Sequence, residues 1–130
     1  MENLKIEASK YTPLITMDIQ KGEIEIRGKS YPENTFEFYK PVLEWIENYH
    51  NTSNPSLTLN LEIIYFNSSS SKLFYDLFDL LEENSDAFKP VINWIYDEEN
   101  ESALESGEEF MEDFEDLNIN LVEKSGQTAS

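Results

Sequence analysis

Four consecutive serines, Ser68, Ser69, Ser70 and Ser71, are the densest set of hydroxyls in the chain, and His50 is its only imidazole. A serine becomes a nucleophile only beside a base, and no serine motif accompanies His50, so the spacing does not support Ser-His catalysis. His50 falls near the end of an expected helix, where partial positive charge is favoured. Carboxylates number 27 in 130 residues, so pairs arise by abundance alone, and any given pair is expected on a solvated face rather than in an acid-base dyad. The run Asp97-Glu98-Glu99-Asn100-Glu101 with Glu108 approaches a calcium-loop pattern, but Ser102 stands where the sharp turn requires glycine. The four glycines, at positions 22, 28, 107 and 126, make no phosphate-cradling loop. No catalytic residue, metal site or cofactor is expected.

The serines offer a different chemistry. Residues 57–66 alternate Leu57, Leu59, Leu61, Ile63 and Tyr65 against Thr58, Asn60 and Glu62, then become apolar on both sides at Ile64 and Phe66. That pattern predicts a central strand whose end is covered on both faces. Leu73, Phe74, Leu77, Phe78 and Leu81 follow at helical spacing. The serine run is thus expected as a loop between a strand's carboxyl end and a helix start, where unpaired N–H groups and the helix dipole favour an anion. A phosphate on a serine there would add about −1.5 to −2 charges to the surface, an on/off control for docking. The plainer reading, a polar helix cap, stands beside it.

The other elements follow from pattern. Residues 14–19 and 23–27 alternate around Gln20-Lys21-Gly22, predicting an antiparallel hairpin. Phe36, Tyr39, Leu43 and Ile46 share a helical stripe, with Asn34 as N-cap and Glu37 three residues on. Pro41 requires either a kink or a helix whose main body starts there. Val91 to Tyr96 reads as a buried strand, Ala103, Leu104, Gly107, Phe110, Met111 and Phe114 as a weaker helix, and residues 119–122 as a last short strand. Trp45 and Trp94 are expected in the core. The order β-β-α-β-α-β-α-β predicts an α/β fold with a mixed, largely parallel sheet under helical cover. One domain spans residues 1–123, a loose tail follows at 124–130, and no internal repeat is visible.

Composition bounds the partners. A 39% hydrophobic content with 13% aromatics is too rich for a disordered acidic tail. A net charge of −18 opposes nucleic acid and anionic membranes, and the longest apolar run, Ile63-Ile64-Tyr65-Phe66, is far too short to span a bilayer. Absence of a signal-like start fits a cytoplasmic protein. Eleven of the twenty residues at 97–116 are acidic and none is basic, whereas no acid occurs between Asn67 and Tyr75. Partners are therefore expected to be basic. An acidic module that mimics nucleic acid and a small carboxylate-based enzyme are the rival classes.

The stretch Ser30-Tyr31-Pro32-Glu33-Asn34 resembles the signature of the SiaC family of bacterial regulatory phosphoproteins. Ile64-Tyr65-Phe66-Asn67-Ser68-Ser69-Ser70 with Lys72, then Asp79-Leu80-Leu81-Glu82, and Trp94-Ile95-Tyr96-Asp97 with Asn100-Glu101 are similar to the same family, over about residues 11–122. The resemblance implies a fold similar to STAS-type anti-sigma factor antagonists, and a partner-switching role without catalysis. It implies phosphorylation by a GHKL-type serine/threonine kinase, removal by a PP2C-type phosphatase, and binding of the unmodified form to a diguanylate cyclase, linking the switch to cyclic di-GMP and biofilm signalling. The acceptor position falls on Ser68, directly after Asn67; Ser69 and Ser70 are the alternatives under a shifted register. A docking face around it is expected to use Asn67, Ser69, Ser70, Lys72, Tyr75 and Asp76, with Tyr31, Pro32, Glu33 and Asn34 as the family motif.

Overall fold

The structure, a computed structural model, describes residues 3–49 and 56–124. Its elements are β1 (Leu4–Ile6), β2 (Leu14–Asp18), β3 (Glu23–Ser30), α1 (Thr35–Glu47), β4 (Thr58–Phe66), α2 (Ser68–Glu83), α3 (Ser85–Phe88), β5 (Val91–Asp97), α4 (Glu101–Asp113) and β6 (Asn118–Lys124). The expected alternation is present, with two additions. β1 is three residues long and too short to show a period; α3 is a single turn. Lys124, assigned from sequence to the tail, instead closes β6, and His50 and residues 125–130 lie outside the described residues. Asn34 caps α1 as expected, and Pro41 sits within that helix rather than at its start, on the exposed side.

The six strands lie side by side in chain order, β1-β2-β3-β4-β5-β6. β1, β2 and β3 pair antiparallel, and β3 to β6 pair parallel. Each parallel pair needs a crossover. Right-handed crossovers that always advance in one direction put every helix on the same face of the sheet. Ile15, Met17, Ile24, Ile26, Leu59, Leu61, Ile63, Ile92 and Trp94 point into that covered face and are buried. They meet Tyr39, Val42, Trp45 and Ile46 from α1, Leu73, Phe74, Leu77, Phe78 and Leu81 from α2, and Phe110 from α4. Both tryptophans are in this core.

Among the described residues no helix lies on the opposite face, which is held by polar side chains. Asn93 Nδ2 donates to Asn60 Oδ1 at 2.9 Å, and Asn120 Nδ2 donates to Asn93 Oδ1 at 3.3 Å, a ladder across three strands. Arg27 bridges Glu25 and Glu62, and Lys124 Nζ reaches the second Glu62 oxygen at 2.6 Å. The end of β4 is therefore not covered on both sides, contrary to the sequence pattern. A bulge contributes: Gly28 faces Ile63 and Lys29 faces Tyr65, so Ile64 is the extra residue. Gly28 has φ +126°, open to glycine and strained for side chains. Ile64 and Tyr65 emerge 57% and 54% exposed.

A repeat invisible in the residue types appears in space. Asn34, Asn67 and Asn100 stand 33 residues apart, each at the junction of a strand and a long helix. Each side chain accepts a backbone N–H of the first helical turn: from Glu37 at 3.2 Å, Ser70 at 2.9 Å and Ala103 at 3.1 Å. The three helix heads consequently share one end of the sheet, the carboxyl end of its parallel strands. The interior compensates between units. Where the second has Leu61 and Phe74, the third has Trp94 and Gly107, and a Cβ on Gly107 would lie 2.6 Å from Trp94 Cδ1 and from Leu121 Cδ2.

Candidate functional site

The serines are not a loop. Asn67 alone links β4 to α2, and Ser68 is the first residue of the helix. An asparagine cap directly after a strand leaves no room for a longer connection. Asn67 Oδ1 takes the N–H of Ser70, and the Asn67 carbonyl takes that of Ser71 at 3.0 Å. The first two amides, those of Ser68 and Ser69, point out of the helix end as helix geometry requires. α1 carries Glu37 and α4 carries Glu101 in the first turn, but α2 carries no acid there. The positive end of its dipole is left without a matching charge.

Helical rotation sends the four hydroxyls in different directions. Ser68 and Ser69 are exposed, Ser71 is half-buried, and Ser70 is fully buried. Ser70 belongs to the apolar stripe of Leu73, Phe74 and Leu77, at spacings of three, four and seven; read as helix rather than loop, the sequence carried that signal. Its Oγ donates to the Ser30 carbonyl at 2.9 Å and lies 2.8 Å from Ser30 Oγ, which is 2.6 Å from the Tyr39 hydroxyl. Each hydroxyl has one proton. With that of Ser70 committed to the carbonyl, Ser30 donates to Ser70 and Tyr39 donates to Ser30. Burial, only partly offset by the Ser30 contact, raises the Tyr39 pKa well above the usual phenol value and keeps the group neutral. Ser70 is thus an interior residue, not the surface contact or accessible acceptor that its neighbours suggested.

The remaining site residues divide. Lys72 and Asp76 are exposed and pair at 3.3 Å one turn apart. Tyr75 faces α4 instead of open solvent: its ring meets Phe110 and Phe114 at 5.1 and 5.6 Å, and its hydroxyl donates to Asp113 Oδ2 at 2.6 Å. That bond, then burial, then the charges of Asp113 and Glu109 push its pKa up to about 12. Tyr31 stacks edge-on between Tyr11 at 5.2 Å and Tyr65 at 5.5 Å, and Pro32 is buried. Glu33 and Asn34 meet Ser69, Lys72 and Asp76 across a groove of about 300 Å³ that Phe36, 56% exposed, also lines. Two stretches far apart in sequence therefore form one surface. Sequence reasoning missed the exposure of Phe36 and Tyr65, because an aromatic residue at a helix start or strand end reads as core until its exposure is known, and passed over Tyr11, which stands in a stretch without a period.

A one-sided α/β domain that presents exposed hydroxyls at a helix head with no acid in its first turn, beside a groove lined by the exposed Phe36, has the features of a regulatory protein rather than a catalyst. Residues 6–124 match the family described as SiaC family regulatory phosphoprotein. An uncharacterized protein of Pseudomonas aeruginosa strain UCBPP-PA14 is 40% identical over 114 residues, covering 87% of this chain and 90% of the relative. The structure of SiaC of Pseudomonas aeruginosa is similar at a TM-score of 0.80 and 33% identity, over 96% of this chain and 99% of that one. A chain in the crystal structure of the diguanylate cyclase SiaD in complex with its activator SiaC, from the same organism, is similar at 0.85 and 35% identity, over 93% and 99%. The chain belongs to the SiaC family of regulatory phosphoproteins, and is accordingly a regulator rather than an enzyme. Among the described residues no helix is long and apolar enough to cross a membrane.

Proposed function

We propose that this protein is a phosphorylation-controlled partner switch with Ser68 as acceptor, whose unmodified form binds and activates a diguanylate cyclase. A GHKL-type kinase transfers the γ-phosphoryl of ATP to Ser68 Oγ, releasing ADP and the hydroxyl proton; a PP2C-type phosphatase hydrolyses the ester back to serine and inorganic phosphate. Dependence on ATP sets the cycle in the cytoplasm. The observation that carries this reading is an exposed serine at the first position of the one long helix, among the described residues, whose first turn holds no acid.

At that position a phosphate meets two outward-pointing amides and the positive dipole end, and Lys72 lies one turn along. The helix tolerates the group; the surface does not stay the same. A neutral helix head becomes strongly anionic, and desolvating that charge against an apolar partner surface is costly. Likeness to the SiaC chain bound to SiaD supports a cyclase as the effector. The test combines labelling and binding. With the GHKL-type kinase of the same genome and ATP, mass spectrometry is expected to find the phosphate on Ser68, and label surviving undiminished in Ser68→Ala sinks the assignment. Ser68→Asp is expected to weaken binding to the diguanylate cyclase of that genome while the circular-dichroism spectrum is unchanged; equal affinity rules out the switch.

A further inference from the structure

We infer that Ser30, Tyr39 and Ser70 are positioning residues: their buried hydroxyl clamp fixes where α2 begins, and so selects Ser68 as acceptor from four consecutive serines. The inference rests on the phosphoswitch reading above. Four adjacent serines are chemically equivalent to a kinase, so selection among them must be geometric. Successive helical residues differ by about 100° in direction, and the direction each hydroxyl takes depends on the residue at which the helix starts.

That start is degenerate on local grounds. Serine is about as good an N-cap as asparagine. A helix frayed by one residue would be capped by Ser68, whose hydroxyl would turn inward to accept the N–H of Ser71, and Ser69 would become the first helical residue and the outward acceptor. Nothing in the tetraserine sequence opposes this. The end of β3 does. The Ser30 carbonyl receives the Asn67 N–H at 3.2 Å and the Ser70 hydroxyl at 2.9 Å, and so grips the cap residue and the third helical residue together. The clamp holds both only when Asn67 is the cap. Ser30 Oγ donates to Ser70 and is itself held by Tyr39, so the chain of donors runs one way and reaches back into the core of α1. Among the described residues no buried side-chain nitrogen or oxygen is left without a partner. The first residue of the Ser30-to-Asn34 motif thereby acts on an acceptor 38 positions later in the sequence.

The test compares clamp variants with a core variant away from the clamp. In Ser70→Ala the kinase reaction is expected to label Ser68 about tenfold more slowly and to spread measurable phosphate to Ser69, with Tyr39→Phe shifting in the same direction by less. Ile46→Val, buried in α1 with no part in the clamp, lowers the melting temperature but leaves Ser68 the sole site. Amide hydrogen exchange at Ser70 and Ser71 is expected to quicken about tenfold in both clamp variants, with the β4 and β5 amides unchanged. Phosphate confined to Ser68 at the wild-type rate in folded Ser70→Ala overturns the inference, as does unchanged exchange. A wild-type protein that takes no phosphate refutes the switch reading instead, and the exchange measurement still decides whether the clamp sets the helix start.

Discussion

The units β4–Asn67–α2 and β5–Asn100–α4 are built on one plan and differ where it matters. Both join a parallel strand to a long helix through a single capping asparagine or a short turn ending in one, and both lean on the same sheet face. After Asn100 comes Glu101, a fixed negative charge at the helix head; after Asn67, at the equivalent position 33 residues earlier, comes Ser68. The third helical residue is buried in both. In α4 it is Ala103, whose carbonyl accepts from Trp94 Nε1 at 2.8 Å, and in α2 it is Ser70, inside the hydroxyl clamp. One head thus carries its charge permanently, and the other, under the proposed switch, carries a charge only when Ser68 is phosphorylated.

Substitutions can break this comparison in order of size. The largest effect belongs to the interior exchange. Phe74→Ala is expected to cost about 3–5 kcal/mol in denaturant unfolding, because the second unit fills its sheet-to-helix space from the helix. Gly107→Ala is expected to cost less, about 1–3 kcal/mol, from overpacking against Trp94 and Leu121. Equal losses would undo the idea that large and small residues trade places between strand and helix. Removing either cap, Asn67→Ala or Asn100→Ala, is expected to lower stability by about 1 kcal/mol, and only the first to disturb effector binding.

Exchanging the heads is gentler on the fold. Ser68→Glu gives α2 the charge of α4 and is expected to raise thermal stability by about 0.3–1 kcal/mol while weakening effector binding; Glu101→Ser should lower stability by a similar amount and leave binding alone. Opposite signs in stability together with an effect on binding from only one of the pair would sharpen the contrast, and matching binding losses would dissolve it.

The smallest effect concerns the contact between the two helices. Tyr75 donates to Asp113, and its folded pKa, about 12, lies above the ordinary phenol value of 10.0. A raised folded pKa favours the folded state while the phenol is neutral. That contribution is complete below pH 10 and declines as pH climbs towards 12. Ultraviolet titration should find one tyrosine ionising near 12, moving down in Asp113→Asn; an unmoved midpoint would assign the shift elsewhere.

Much of this fold was legible from residue spacing. The β2–β3 hairpin, the Asn34 cap and the stripe from Leu73 to Leu81 are local patterns, set by period and capping chemistry alone. What spacing could not carry is the side of the sheet on which the helices fall. Ile64 and Tyr65 read as doubly covered because an apolar run states only that side chains are greasy; a bulge and one-sided cover decide that they face outward. The serine run misled for a related reason. Polar composition suggested a loop, yet serine is also at home in a first helical turn, and the clamp that buries Ser70 depends on Ser30 and Tyr39 brought in from another unit. Exposure of Ser68 and Ser69, the feature any modifying enzyme would meet, followed once the helix was known to begin there.

The sequential order of the strands bears on how the molecule is made. Each strand's neighbour in space is its neighbour in sequence, so no pairing waits for a distant segment and loop closure stays short. As synthesis proceeds, every new strand emerges after the strand it pairs with, and from β4 onward a helix precedes it in the chain. β6 completes the series, and with it Lys124 arrives to tie the last strand back to Glu62 on β4. The sheet can grow from one side while the chain is still leaving the ribosome.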